Sequence, residues 1–308
     1  MARTHAKKKV TNDPSFAKKK PLTYYPVQRK INLNVSGSPS VQGGQFDTGR
    51  ILSQLNHRLY RYGKRYTQKV DVDPAALNPG TSVDVWALAD TWSIQKAFEE
   101  AKTVFDRAYT DERENLTKSA RARWFDFRVE SGLTVSDMYP VVDSDPSTAV
   151  RALITGGEFI NSRVEDAAGT TRTFSWRPAT AATVYSVLAE YNLAGNTSTS
   201  PSTTTGAGPY DDLEADASAL EMEALQADGN APPYNATSLS SAWIKIGTLS
   251  VGPGGNQKVS TGYFDAPCGL VYVSVTGQTL DSLGGSISTT VQAGDYKGVR
   301  AHNMERMS

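Results

Sequence analysis

The chain is 308 residues long, with 32 Lys and Arg against 32 Asp and Glu, one cysteine and 39% hydrophobic residues. That length allows one large or two ordinary domains. A lone cysteine excludes an internal disulfide and fits a reducing compartment, and no apolar run approaches a membrane span. The zero total hides a polarity: residues 1–70 hold 15 Lys and Arg against Asp13 and Asp47, net +13, which leaves 17 against 30, net −13, for residues 71–308.

The front of the chain, 1–30, reads as a basic arm carrying Arg3, Lys7, Lys8, Lys9, Lys18, Lys19, Lys20, Arg29 and Lys30. It contains Pro14, Pro21 and Pro26 and few large aliphatics, so burial cannot offset its ordering entropy and it is expected to be disordered until a partner arrives. Spaced lysine clusters neutralise phosphates without reading sequence. Tyr24 and Tyr25 stand between two of the clusters and suit stacking on the bases of a single strand. A solubilising tail and a short basic nuclear-import signal are the competing readings. The charged N-terminus lacks an apolar h-region, so no secretory leader is expected.

Residues 31–36 alternate apolar and polar as a half-buried strand does, and a Gly/Ser/Pro/Gln loop is expected at 36–45. Leu55 to Val72 reads as a longer extended segment. Tyr60, Tyr62, Tyr66, Val70 and Val72 share one parity, while Arg61, Arg65, Lys69 and Asp71 take the other. Arg58, Arg61, Lys64 and Arg65 crowd beside His57, and the segment is expected to offer phosphates a cationic face continuous with the arm. A helical insertion is expected at about 86–125. Ile94, Ala97, Phe98, Ala101, Phe105 and Ala108 recur at three-and-four spacing, and Asp111 with Glu114 suggests a second helix carrying Leu116, Ala120, Trp124 and Phe127.

Beyond Gly132 the pattern is extended. Candidate strands are 127–135, 151–155, 158–165, 171–176, 183–190, 242–251, 258–264, 270–276 and 286–291, separated by Gly, Asn, Asp and Pro clusters. Many short strands without βαβ alternation predict a sandwich or barrel. Residues 195–240 are expected to form a long surface loop, with a short acidic helix at Asp211 to Ala227. Cys268 leads into an apolar run and is expected to be a buried thiol.

No phosphate-cradling loop, nucleophile elbow or zinc-protease helix occurs, and His5, His57 and His302 are too scattered for a catalytic or metal set. No enzymatic activity and no cofactor are therefore expected. A β-rich hydrolase or carbohydrate binder is the least favoured alternative, after a non-viral nucleic-acid-binding β-domain. Asp71/Asp73, Asp143/Asp145 and Asp211/Asp212/Glu214/Asp216 have spacings that suit interfacial Ca²⁺, but none has the ordered pattern of a calcium loop. The sequons at Asn34, Asn115, Asn196 and Asn235 are read as chance.

The lysine-triplet arm, the segment Arg58-Leu-Tyr-Arg-Tyr-Gly-Lys-Arg-Tyr, the Thr/Ser/Gly-rich β body and the tail Gly294-Asp-Tyr-Lys-Gly-Val-Arg together resemble the coat (capsid) proteins of small icosahedral viruses with single-stranded genomes. The arm departs from the common pattern by using lysine triplets in place of an arginine-rich run. Circular single-stranded DNA is slightly preferred to positive-strand RNA as the genome. The resemblance implies a mainly β fold: a single jelly-roll β-sandwich over 31–308, with the helical insertion and a disordered basic N-terminal arm. It implies self-assembly into an icosahedral shell and packaging of single-stranded nucleic acid by the arm together with Arg58, Arg61, Lys64 and Arg65. The partners implied are further copies of the chain and the genome, with no membrane. The location implied is the virion, and the host cytoplasm or nucleus during assembly. Asn230-Ala231 and Asn235-Ala236 resemble junctions that some such coat proteins cleave on maturation.

Overall fold

A computed structural model describes residues 26–35, 42–114, 117, 124–145, 150–155, 159–165, 169–177, 183–196, 242–251, 257–283 and 285–304. The arm to residue 25 and residues 197–241 lie outside the described residues, and with them the expected acidic helix and all of the expected 195–240 loop except 195–196, which are the end of a helix. The protein is mainly β. Its strands are β1 (Lys30–Val35), β2 (Gly43–Asp47), β3 (Lys64–Val72), β4 (Ser82–Leu88), β5 (Ser136–Asp145), β6 (Val150–Leu153), β7 (Arg163–Glu165), β8 (Thr171–Ser175), β9 (Val184–Ser186), β10 (Trp243–Val251), β11 (Gln257–Lys258), β12 (Phe264–Ala266), β13 (Leu270–Thr276), β14 (Ile287–Val291) and β15 (Ala301–Asn303). Among the described residues three α-helices accompany them, α1 (Thr48–Asn56), α2 (Trp92–Glu114) and α3 (Val187–Asn196).

One run of antiparallel neighbours has the order β1-β14-β3-β12, and a second has the order β2-β13-β4-β10. β5 joins them into one curled sheet. Its first residues, Ser136 and Asp137, pair in parallel with Gly44 and Gln45 of β2, and Met138 to Val141 pair antiparallel with β1. The alternation read in the sequence sets which side chains face inward. In the first run Leu33, Ile287 and Val72 lie in register, and so do Ile31, Thr289 and Val70. In the second run Phe46, Val271 and Ala87 form one rung, and Val275, Val83 and Leu249 another. The inward residues of both runs meet in one apolar cluster, so the curled, half-barrel sheet wraps a single core.

A second apolar cluster lies at one end, where α2 is held. Ile94, Ala97, Phe98, Ala101 and Phe105 form the buried stripe of α2, against Phe127, Phe174, Trp176, Leu188, Trp243 and Leu270. The small sheet β7-β8-β9 contributes Phe174 to that cluster. Both α2 and this sheet lie in the stretch between Leu88 and Trp243, direct partners across β4 and β10, and the same stretch supplies β5 and β6 to the main sheet.

Several local expectations need correction. The extended segment starts at Lys64, not Leu55, because residues 48–56 form α1. Asp47 caps α1 by accepting from Arg50 N at 3.1 Å, and His57 ends it in the left-handed region at φ 51. Part of the expected 36–45 loop is β2. There the missing side chain of Gly44 lets Met138 and Leu280 close in, since a Cβ would sit 2.8 Å from Met138 Cγ and 2.5 Å from Leu280 Cδ2. α2 runs unbroken past the joint expected at Tyr109-Thr110 to Glu114, with Tyr109 stacked on Phe125 at 4.3 Å; Leu116 and Ala120 of the expected second helix lie outside the described residues, and Phe127 is not helical. Residues 86–88 belong to β4, and 125–129 are neither helix nor strand. The expected strand 127–135 makes only the Glu130–Ser175 bridge, and the strand lies at β5. The expected strand 183–190 gives way to α3 after Ser186.

Candidate nucleic-acid interface

The described part of the arm emerges at the C-terminal end of α1. Gln28 N donates to Asn56 Oδ1 at 2.8 Å, and Asn56 Nδ2 donates back to Gln28 O at 3.2 Å. Arg29 Nη1 reaches Gly298 O at 3.4 Å, in the turn between β14 and β15. Three chain segments therefore converge where the arm begins: 26–30, the loop 57–64 after α1, and the 296–299 turn.

Two tyrosines form the floor of this junction. Tyr60 and Tyr296 meet edge-on with ring centroids 6.0 Å apart. Tyr60 Oη donates to Lys297 O at 3.0 Å, and Arg61 N donates to Tyr296 Oη at 3.1 Å. Cations cover the rings: Lys64 Nζ lies 4.1 Å from the Tyr296 centroid, and Lys297 Nζ lies 5.5 Å from Tyr296 and 5.8 Å from Tyr60. Lys297 Nζ also donates to Leu59 O. Arg61 is answered by one carboxylate, donating to Asp126 Oδ1 at 3.1 Å while Tyr62 N holds Asp126 Oδ2 at 2.6 Å.

Burial, then Arg61 and Arg58, hold the Lys297 ammonium below its usual range. Burial raises the Tyr60 phenol, with Arg58 and Arg29 opposing it. A phosphate entering here would relieve repulsion among Arg29, Arg58, Arg61, Lys64 and Lys297.

The structure distributes the sequence-predicted cations unevenly. Arg3, Lys7, Lys8, Lys9, Lys18, Lys19 and Lys20 lie outside the described residues. Lys30, Arg58 and Arg61 are exposed, and Arg29 and Lys64 are half-buried. Arg65 is only 5% exposed and its guanidinium is held by Asp90 at 2.9 Å, so it faces the protein and not a displayed row. Lys69, on the same parity, is bound to Asp71 at 2.8 Å. The cationic face is thus a loop-and-turn cluster at the end of β3 and not one side of the strand. Sequence reasoning missed Tyr296 and Lys297 as members. The signal was the tail segment from Gly294, already conspicuous for its Tyr-Lys and Arg.

The acid pairs have other work where they can be seen. Asp71 binds Lys69, and Asp73 caps a short turn through Ala75 N at 3.0 Å. Among the described residues no three His, Cys, Asp or Glu gather as a metal cluster, and no helix is long and apolar enough to cross a membrane. His57 caps α1, and His302 pairs across from Arg65. No family model, no curated protein and no solved structure matches this chain.

Proposed function

We propose that the chain is a viral coat protein that assembles with copies of itself into a closed shell and packages single-stranded nucleic acid through its basic arm. The observation that carries the reading is where the arm is rooted. Its last residues are hydrogen-bonded to Asn56, two residues before Arg58, and Arg29 reaches the turn that carries Lys297. An arm rooted there, with nine Lys and Arg in residues 1–30, adds its charge to that of the patch, and such a concentration of charge favours a long polyanion over a small one.

The strand order supports a jelly roll as the form of the curled sheet. A run β1-β14-β3-β12 facing a run β2-β13-β4-β10 is what two interleaved Greek keys generate, in which the first and last long strands pair and each later strand crosses to the other face. Helical excursions between β2 and β3 and between β4 and β10 leave that order intact. In such an assembly the anionic remainder of the chain limits adhesion of the shell to other nucleic acid, while the arms condense the genome within. The role is structural and needs no catalytic group.

Negative-stain microscopy of the purified full chain, with nuclease digestion of the co-purified polymer, tests the reading. Uniform closed particles holding nuclease-protected nucleic acid are expected. A monomeric product free of polynucleotide across salt and pH overturns it.

A further inference from the structure

A cavity of about 510 Å³ lies between β2, the start of β5 and residues 128–131. The Arg128 guanidinium faces it, held through Nη2 by Asp47 and lying 4.9 Å from the Phe159 ring centroid. Arg128 is 5% exposed. Even so, among the described residues its Nε and Nη1 meet no acceptor, Arg50 Nε beside it meets none, and Gln45 Oε1 in the same wall meets no donor. Buried donors and acceptors left over in one cavity call for an occupant that supplies the complement.

The charges restrict what that occupant is. Arg128 is already neutralised by Asp47, and Arg50 by Asp137 at 2.9 Å, while Glu130 adds a third carboxylate to the wall. A phosphate or a partner's carboxylate would enter against that excess. A neutral ligand with acceptors on one edge and donors on another would not, and the rings of Phe159 and Tyr139 give it apolar walls. Guanine has that distribution, with O6 and N7 accepting from arginine N–H and an N1–H/N2–H edge for Gln45 Oε1 or a carboxylate. Adenine sets a donor beside its N7 and matches less well.

We propose that this cavity is a nucleobase pocket with guanine as its preferred occupant, filled by a base of the strand whose phosphates lie on the cationic patch. The proposal rests on the nucleic-acid reading above. The chain links the two: Arg61 of the patch is followed by Tyr62, which lines the cavity, and Asp126, which binds Arg61, lies two residues before Arg128.

The test is titration of the full chain with GMP, AMP and inorganic phosphate, by calorimetry or saturation-transfer NMR. GMP is expected to bind, AMP to bind about tenfold more weakly or worse, and phosphate not to compete. Phe159→Leu is expected to weaken GMP about tenfold through lost stacking, with unchanged thermal stability and unchanged affinity for oligo(dT). An oligo(dT) carrying a single dG should bind more tightly than oligo(dT) alone. GMP binding without that gain overturns the strand as the source. Oligo(dT) binding with no GMP binding at millimolar concentration overturns the pocket while leaving the interface standing, and loss of oligo(dT) binding alone overturns the interface. Equal binding of GMP, AMP and phosphate, or binding indifferent to Phe159→Leu, means an adventitious anion only and also overturns the pocket.

Discussion

Asp47 and Arg128, 81 residues apart in the chain, form a buried ion pair that ties the first turn of α1 to the segment beyond α2. The same carboxylate serves twice, because its Oδ1 accepts from Arg50 N as the cap of α1. Removing one partner of such a pair strands the other charge in a low-dielectric site. Arg128→Met is expected to cost about 3–5 kcal/mol. Asp47→Ala should cost about 1 kcal/mol more than Asp47→Asn, which keeps a capping oxygen. Urea unfolding followed by circular dichroism measures both, and an Arg128→Met chain as stable as the parent would remove the pair from any structural account.

The cationic patch has its own signature in salt. Arg58→Gln, Arg61→Gln and Lys64→Gln should each weaken single-strand binding, and each should flatten the plot of log affinity against log salt by about 0.7 if it neutralises one phosphate. Arg65→Gln should leave that slope alone and instead lower stability, since Arg65 is buried against Asp90. Affinity measured by fluorescence anisotropy over a salt series separates the two outcomes.

Deleting residues 1–30 removes nine of the chain's Lys and Arg and leaves the patch. Retained particle formation is expected, with empty or poorly filled shells and a much shallower salt dependence of nucleic-acid uptake. Fully loaded, nuclease-resistant shells from the deleted chain would contradict the division of labour between arm and body.

Alkali should loosen the fold in two steps. Burial pushes the Cys268 thiol well above its ordinary 9.0, and Tyr62 and Tyr66 well above 10.0. Each group stays protonated in the folded chain and ionises once unfolded, so the stability it contributes is complete below the ordinary value and is lost as pH rises past it. The loss runs at about 1.4 kcal/mol per pH unit for each group engaged. Unfolding midpoints should therefore begin to fall near the thiol's ordinary value and fall more steeply above that of tyrosine. Cys268→Ala should abolish the first step only.

Gly44→Ala tests how closely β5 is laid on β2. The added methyl would meet Met138 and Leu280 well inside contact distance, at 2.8 and 2.5 Å. A loss of about 1–3 kcal/mol is expected, recovered in part by Leu280→Ala. Thermal melts of the single and double variants decide it.

The elements legible in the sequence are those with a pure period. Leu270–Thr276, Ile287–Val291 and Lys30–Val35 alternate cleanly, and the stripe from Ile94 to Phe105 keeps helical spacing. What escaped notice was mixed. β2 is Gly-Gly-Gln-Phe-Asp and reads as a loop until one sees that packing requires the glycine. α1 holds Ile51, Leu52 and Leu55 in so few turns that the tyrosine-rich stretch after it masked the pattern. β5 contains Pro140, which lowers any strand reading, yet it joins the two halves of the sheet. The site was half legible for a related reason. Charge counts located the cations of 50–65, but only tertiary structure shows that Arg65 turns inward and that Lys297, from the far end of the chain, takes its place.

Leu88 and Trp243 face one another on a single rung, with residues 89–242, half of the 308-residue chain, strung between them. That rung cannot form early, because its entropy of closure must be met before the neighbouring pairs reward it. Between its ends lie the second apolar cluster around Phe98, Phe105 and Trp176 and also β5, which pairs in the main sheet, and contacts of either kind shorten the loop this rung has to close. Refolding of the chain is therefore expected to be slow, as folding dominated by distant strand pairings is.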